Sequence, residues 1–140
     1  MQIPSNVRVK KFPWTILPIL SKYSAHAIYP NVYLPRNIYE DLLTKQPNSK
    51  NVSILVHEQT HIERQKQLGW LLWGFKYCFI GRFRLNEELE AIKSSMKYLK
   101  SKGKYWDTEK SAKSLSGYLY LWCVDFKTAK AKLEKAWSEA

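Results

Sequence analysis

Cysteine is scarce in this chain. There are two, Cys78 and Cys123, each inside an apolar run and with no CxxC spacing. That excludes a zinc site built from cysteines, and two buried free thiols are the plain expectation. Long apolar runs are also missing. The densest, residues 70–80, is eleven residues with Lys76 inside it, well short of the roughly 20 that a membrane span needs. Negative charge is in short supply as well: 12 Asp and Glu against 23 Lys and Arg leave a formal net charge of +11. Such an excess suits an acidic partner or an anionic surface, and a solvated basic exterior is the ordinary alternative. Nucleic acid is not indicated, because there is neither an arginine-rich run nor a recognisable binding motif. Internal repeats and low-complexity segments are absent too.

Aromatic residues, in contrast, are plentiful. Six Trp and nine Tyr argue for a packed globule, and 140 residues suffice for one domain, residues 1–140, with a sizeable core. Near the N-terminus, Lys10 and Lys11 precede an apolar stretch, residues 12–20, and Ala25-His26-Ala27 resembles a small-residue cleavage site. The stretch is short, carries Pro13 and Pro18, and is followed by Lys22. It is therefore read as part of the folded domain. A cytoplasmic, soluble protein is expected, with export not fully excluded.

The pattern of residues predicts a mostly helical α+β domain. Three prolines argue against a long helix in residues 1–22. Residues 23–34, rich in Tyr, Val and Ile and broken at Pro30-Asn31, read as a strand, a turn and a second strand. A short helical turn over 35–44 and a loop over 46–49 follow, with Asn48, Ser49 or Asn51 as cap. Residues 52–68 read as a helix stopped by Gly69. Val52, Leu55 and Ile62 lie on one side of it, and Ile54, His57, His61 and Leu68 on the other, so it is expected to be buried between layers. The aromatic run 70–83 reads as a helix then a loop, its 70–80 cluster as core, with a membrane-surface or partner-docking patch as the sharper alternative. Leu85, Leu89, Ile92, Met96 and Leu99 mark a second clear helix over 85–100. Residues 108–137 read as two helices meeting near 125–128.

The chemistry lies in His57-Glu58-Gln59-Thr60-His61. Two histidines four apart share one face of a helix and can grip one metal ion, and the intervening glutamate is placed to serve its water. Catalytic zinc usually has a third protein ligand. Residues 85–91 offer three carboxylates. On helical geometry Glu88 falls roughly 60° from the apolar stripe, whereas Glu87 and Glu90 fall roughly 140° to 160° away, toward solvent. Glu88 is thus the preferred third ligand, because a carboxylate turned into a core needs a cation. Glu87, Glu90, His26 or no protein ligand at all remain alternatives. Ala91 would let the two helices approach closely.

His57, Glu58 and His61, followed by Glu88-Leu89-Glu90-Ala91, resemble the gluzincin metallopeptidases, whose HExxH helix is completed by a Glu-x-x-Ala glutamate on a later helix. Residues 61–65 and 68–70 resemble the continuation seen in small, minimal zincin-like proteins of bacteria and phages. The likeness covers roughly residues 23–100. It implies a minimal zincin-like domain with a small N-terminal β-hairpin or sheet packed on the HExxH helix. It also implies Zn2+ held by His57, His61 and Glu88, and Glu58 as the catalytic base. Ile92 departs from the pattern, standing where many relatives place an Asp or Asn that orients a ligand histidine. By position, residues 28–34 match the edge strand along which such enzymes lay an extended peptide.

The expected activity is zinc-dependent peptide-bond hydrolysis by a metalloendopeptidase on a peptide or protein substrate. His26, Tyr118 and Tyr120 are candidate donors to the oxyanion. His26 reads more simply as an ordinary surface or strand histidine. Two alternatives stand beside this activity. One is a catalytically inactive zincin-scaffold protein that docks a partner through its basic aromatic surface. The other is a basic module for nucleic acid or an anionic membrane surface, with the HExxH accidental.

Overall fold

A computed structural model describes residues 2–11 and 24–140, so the expectations for the 12–20 stretch lie outside the described residues. The protein is mostly helical, with a small mixed sheet. Strands β1 (Val7–Val9), β2 (His26–Ile28) and β3 (Asn31–Leu34) lie in the order β1-β3-β2. β3 runs parallel to β1, with Val7 opposite Val32, and antiparallel to β2, with Ala27 opposite Val32. The turn between β2 and β3 is at Tyr29-Pro30, as the sequence indicates, and that peptide bond is cis. β1 has no sequence signal beyond its three alternating residues. Residues 28–34 do not supply an edge strand as expected, because β3 sits in the middle of the sheet.

Helix α1 (Arg36–Leu42) leads into α2 (Ser49–Leu68), the HExxH helix. Asn48 caps α2, its side chain accepting from the Lys50 amide at 2.9 Å, a contact typically worth about 1 kcal/mol. Gly69 ends it at φ +86°, a conformation open to glycine at little cost. Val52, Leu55 and Ile62 turn toward the sheet and pack with Val7, Val32 and Leu34. Two amide clasps fix that contact. Asn6 and Gln59 exchange hydrogen bonds at 3.0 and 3.3 Å. Gln65 accepts from the Tyr29 amide at 2.8 Å and donates to the Ala27 carbonyl at 2.9 Å. Each such bond contributes roughly 0.5–1.5 kcal/mol, and the second clasp also occupies polar backbone groups of β2.

Helix α3 (Trp70–Phe79) is followed at once by α4 (Gly81–Ser101), so the loop expected before residue 85 is helical instead. After α4 come α5 (Thr108–Leu115), a short 3-10 turn (Tyr118–Tyr120) and α6 (Phe126–Glu139). The last two helices are separated by residues 116–125, a wider break than expected, and Asp125 caps α6 through the Thr128 amide. Leu85, Leu89, Ile92 and Met96 of α4 form a second core with Ala112, Leu115, Ala129 and Leu133. The opposite side of α4 faces α2, where the Ser95 hydroxyl donates to the Ser53 carbonyl at 2.7 Å. Helix α4 thus lies between two layers, and the seam with α2 is where the candidate site forms.

The aromatic cluster at 70–80 is not core. Only Trp73 is buried; Trp70, Leu71, Leu72, Phe75, Phe79 and Ile80 are exposed. The two cysteines are free, but neither is buried: Cys78 is exposed and Cys123 half-buried.

Candidate metal centre

His57 and His61 lie one turn apart on α2, and Glu88 reaches them from α4. His57 Nε2 and His61 Nε2 are 3.1 Å apart. Glu88 turns Oε2 to His57 Nε2 at 3.4 Å and Oε1 to His61 Nε2 at 3.3 Å. Two donors at tetrahedral positions, each 2.0–2.1 Å from a zinc ion, stand about 3.3 Å apart, so all three separations suit one shared ion. Among the described residues these three side chains form a group that could hold a metal.

The polar bookkeeping agrees. Glu88 Oε2 is buried without a hydrogen-bond partner among the described residues. A carboxylate oxygen left so is costly unless a cation meets it. Burial tends to raise the Glu88 pKa, but His57 and His61 outweigh it and hold the carboxyl well below the ordinary range. Glu88 is therefore available as an anionic donor.

Glu87 corrects a sequence expectation. It does not face solvent but is as buried as Glu88. A single apolar stripe defines only one buried side of α4, whereas α2 and α3 cover a second side. Arg64 grips Glu87 with two bonds, at 2.5 and 2.7 Å, and the Trp73 indole N–H donates to it at 2.8 Å. Burial would raise the Glu87 pKa, but these donors outweigh it and lower it. With its oxygens so engaged, Glu87 is a brace rather than a ligand. Glu90 is half-exposed and pairs with Lys93 at 2.8 Å, and His26 sits on β2 bonded to Ser24 at 3.0 Å.

What orients the imidazoles, given Ile92? Ile92 packs in the second core and plays no such part. His61 Nδ1 is buried without a hydrogen-bond partner among the described residues. Aromatic edges hold the ring instead. The His61 centroid is 5.7 Å from that of Trp73 and 6.4 Å from that of Tyr77, both edge-on, and those two rings stack at 4.6 Å. The Tyr77 hydroxyl also donates to Glu88 Oε1. One side of α3 therefore holds both a histidine and the carboxylate, with Glu87 and Arg64 fixing Trp73 behind it. Sequence reasoning missed this brace. A signal was available in part: His57, His61 and Arg64 are spaced i, i+4, i+7 and share a helix face.

Glu58 is buried beside the group. Burial pushes its carboxyl up to about 7; His57 opposes the rise, Glu88 adds to it and Lys10 opposes it. Lys10, at the end of β1, was not anticipated either. Burial lowers its ammonium to about 8, against the pull of Glu58. Burial, helped by Lys10, also lowers His26 to about 4, so that ring is neutral at pH 7.

A cavity of about 290 Å3 opens against His57 and Glu58, lined also by Ser24, Ser95 and Tyr120. Of the three candidate oxyanion donors, Tyr120 reaches this cavity, whereas Tyr118 is exposed. Burial, then Glu88 and Glu58, push the Tyr120 hydroxyl well above its usual range, so it keeps its proton. Compared with protein-family models, curated proteins and solved structures, the chain gives no match. Geometry alone therefore marks these residues as a group that could hold a metal.

Proposed function

We propose that the protein is a zinc-dependent metalloendopeptidase. The observation that carries this reading is the convergence of His57, His61 and Glu88 at separations suited to one tetrahedral ion, with Glu58 buried alongside. Two imidazoles and a carboxylate leave a fourth position open, the donor set of a catalytic rather than a structural zinc site. Bound there, zinc supplies Lewis acidity and an acidified water.

The chain's own groups then divide the work. Glu58 takes a proton from the attacking water and returns it to the leaving amine. Tyr120, still protonated and facing the cavity, donates to the oxygen on which charge develops. Tyr77 holds Glu88 in place. The small cavity favours a substrate threaded past the site over one engulfed by it.

Metal analysis of the purified protein, together with Glu58→Gln, tests this. The variant should keep the parent's zinc content and lose about 100- to 10,000-fold in peptide hydrolysis. A variant that cleaves as fast as the parent removes Glu58 from the role of base. Stoichiometric zinc without turnover by the parent on any unfolded protein would favour the second reading, a binding protein on the same scaffold. The apolar outer face of α3 is the observation that supports it.

A further inference from the structure

Helix α3 has two unlike sides. Trp73 and Tyr77 face the candidate metal centre, while Leu71, Phe75 and Phe79, spaced four apart along the other side, are 68%, 60% and 74% exposed. The apolar surface continues onto the segment after α5. Arg84 ties the two together, donating to the Cys78 carbonyl at 2.6 Å and to the Tyr120 carbonyl at 3.2 Å. Gly81 lies against Cys123, whose Cβ would be 3.6 Å from a Cβ placed on the glycine. Just beside that contact, Leu121 and Trp122 expose their side chains from left-handed backbone, at φ 53° and 47°. Non-glycine residues rarely adopt that conformation, least of all two in succession. The fold thus holds large apolar groups outward on two adjoining segments.

The charge along these two segments has one sign, although Arg64 is paired with Glu87, Arg84 is buried and Asp125 lies just beyond the second segment. Residues 64–86 carry Arg64, Lys66, Lys76, Arg82 and Arg84 and no acidic residue, and residues 110–124 also have none. Lys66 and Arg82 are exposed. Trp and Phe on one side with basic groups at the margin are the composition of elements that lie in a lipid interface. At ten residues α3 is about 15 Å long by the usual helical rise, too short to span a bilayer, and among the described residues no helix is long and apolar enough to do so. A second copy docked through the same surface would set basic residues against basic residues.

We propose that the outer face of α3, with Leu119, Leu121 and Trp122, seats the protein on an anionic lipid bilayer. The apolar side chains enter the acyl boundary, and Lys66, Lys76 and Arg82 meet lipid phosphates. This docking needs no metal and is independent of the proposed peptidase activity.

Co-sedimentation of the full chain with vesicles of phosphatidylcholine, with and without phosphatidylglycerol, tests it. The protein should pellet with the anionic vesicles, weakly with the neutral ones, and less as salt rises. Phe75→Ser/Phe79→Ser should lower the anionic-vesicle partition by about tenfold or more. Lys66→Gln and Arg82→Gln should each lower it by about fivefold at low salt. Leu43→Ser, at an exposed residue on neither segment, should leave it unchanged. The serine double variant should keep the parent's circular-dichroism spectrum and melting temperature. Three results would overturn the proposal: no binding to phosphatidylglycerol vesicles, binding indifferent to the double substitution, or a dimer that the substitution dissolves while vesicles bind nothing.

Discussion

The seam between α2 and α4 and the outer side of α3 are close neighbours with opposite chemistry. The seam buries ionisable side chains: His61, Glu58, Glu87 and Glu88 are almost wholly withdrawn from water. The outer side of α3 does the reverse and leaves phenylalanine and leucine in water. One helix serves both, since Trp73 and Tyr77 brace the charged group from the side opposite Phe75 and Phe79. The contrast teaches that burial here follows function as much as polarity. Glu87 and Glu88 are buried with donors aimed at them, and exposed apolar groups mark a surface fit for a partner.

Substitutions can break or sharpen this contrast. The largest effect should come from Glu88→Ala, which removes the candidate carboxylate ligand from the seam. Zinc affinity, measured by chelator competition, should fall by more than about 100-fold, since even groups behind the ligands are typically worth 10- to 100-fold. Glu87→Ala should be intermediate. It strands the Trp73 indole N–H and frees Arg64, at a cost of about 1–3 kcal/mol in urea unfolding, and it should weaken zinc roughly tenfold by loosening the brace behind His61. Unchanged zinc affinity in that variant would reduce Glu87 to a purely structural ion pair.

Lys10→Met should be subtler and visible in pH. Below about pH 8, Lys10 is protonated in both folded and unfolded chains, and folding must bury that charge. Between about 8 and its ordinary 10.5 the folded chain gives up the proton while the unfolded chain retains it, so stability gains from this group as pH rises. The methionine variant should lack that gain, which the difference between the two unfolding curves across this window would reveal. The smallest effect belongs to the apolar side. Phe79→Ser should change stability by less than about 0.5 kcal/mol and leave zinc content untouched. A large loss of stability there would mean that the exposed face is structural, and the contrast between the two regions would fail.

Much of the seam was legible in the sequence because local periodicity determines it. The i, i+4 histidines, the cap at Asn48, the stop at Gly69 and the stripe from Leu85 to Met96 each depend on a few neighbouring residues. Glu88 could be singled out from the angle it makes with that stripe. Glu87 could not, because its burial depends on a second layer, α2 and α3, that no single-helix projection contains. The partnership of Arg64 with Glu87 spans 23 positions and leaves no local trace. Lys10 looked like a flank of an apolar stretch, and only the sheet brings it near Glu58. The aromatic run at 70–80 misled for a different reason: hydrophobicity predicts what would be favourable to bury, not whether the fold supplies anything to bury it against.

Ser53, Ala91 and Ser95 lie along the inner side of the two central helices. Ala91 is wholly buried, and Ser95 hydrogen-bonds directly to the backbone of the facing helix. Such thin side chains act as a calliper: the helices close until a serine hydroxyl of one reaches a backbone carbonyl of the other, and the jaws carrying nitrogen and oxygen stop at a set width. A bulky residue at position 91 would spread the jaws and should weaken the hold of the two imidazoles and the carboxylate on any small ion. The spacing of the candidate donors is thus partly set by residues that lie outside the group.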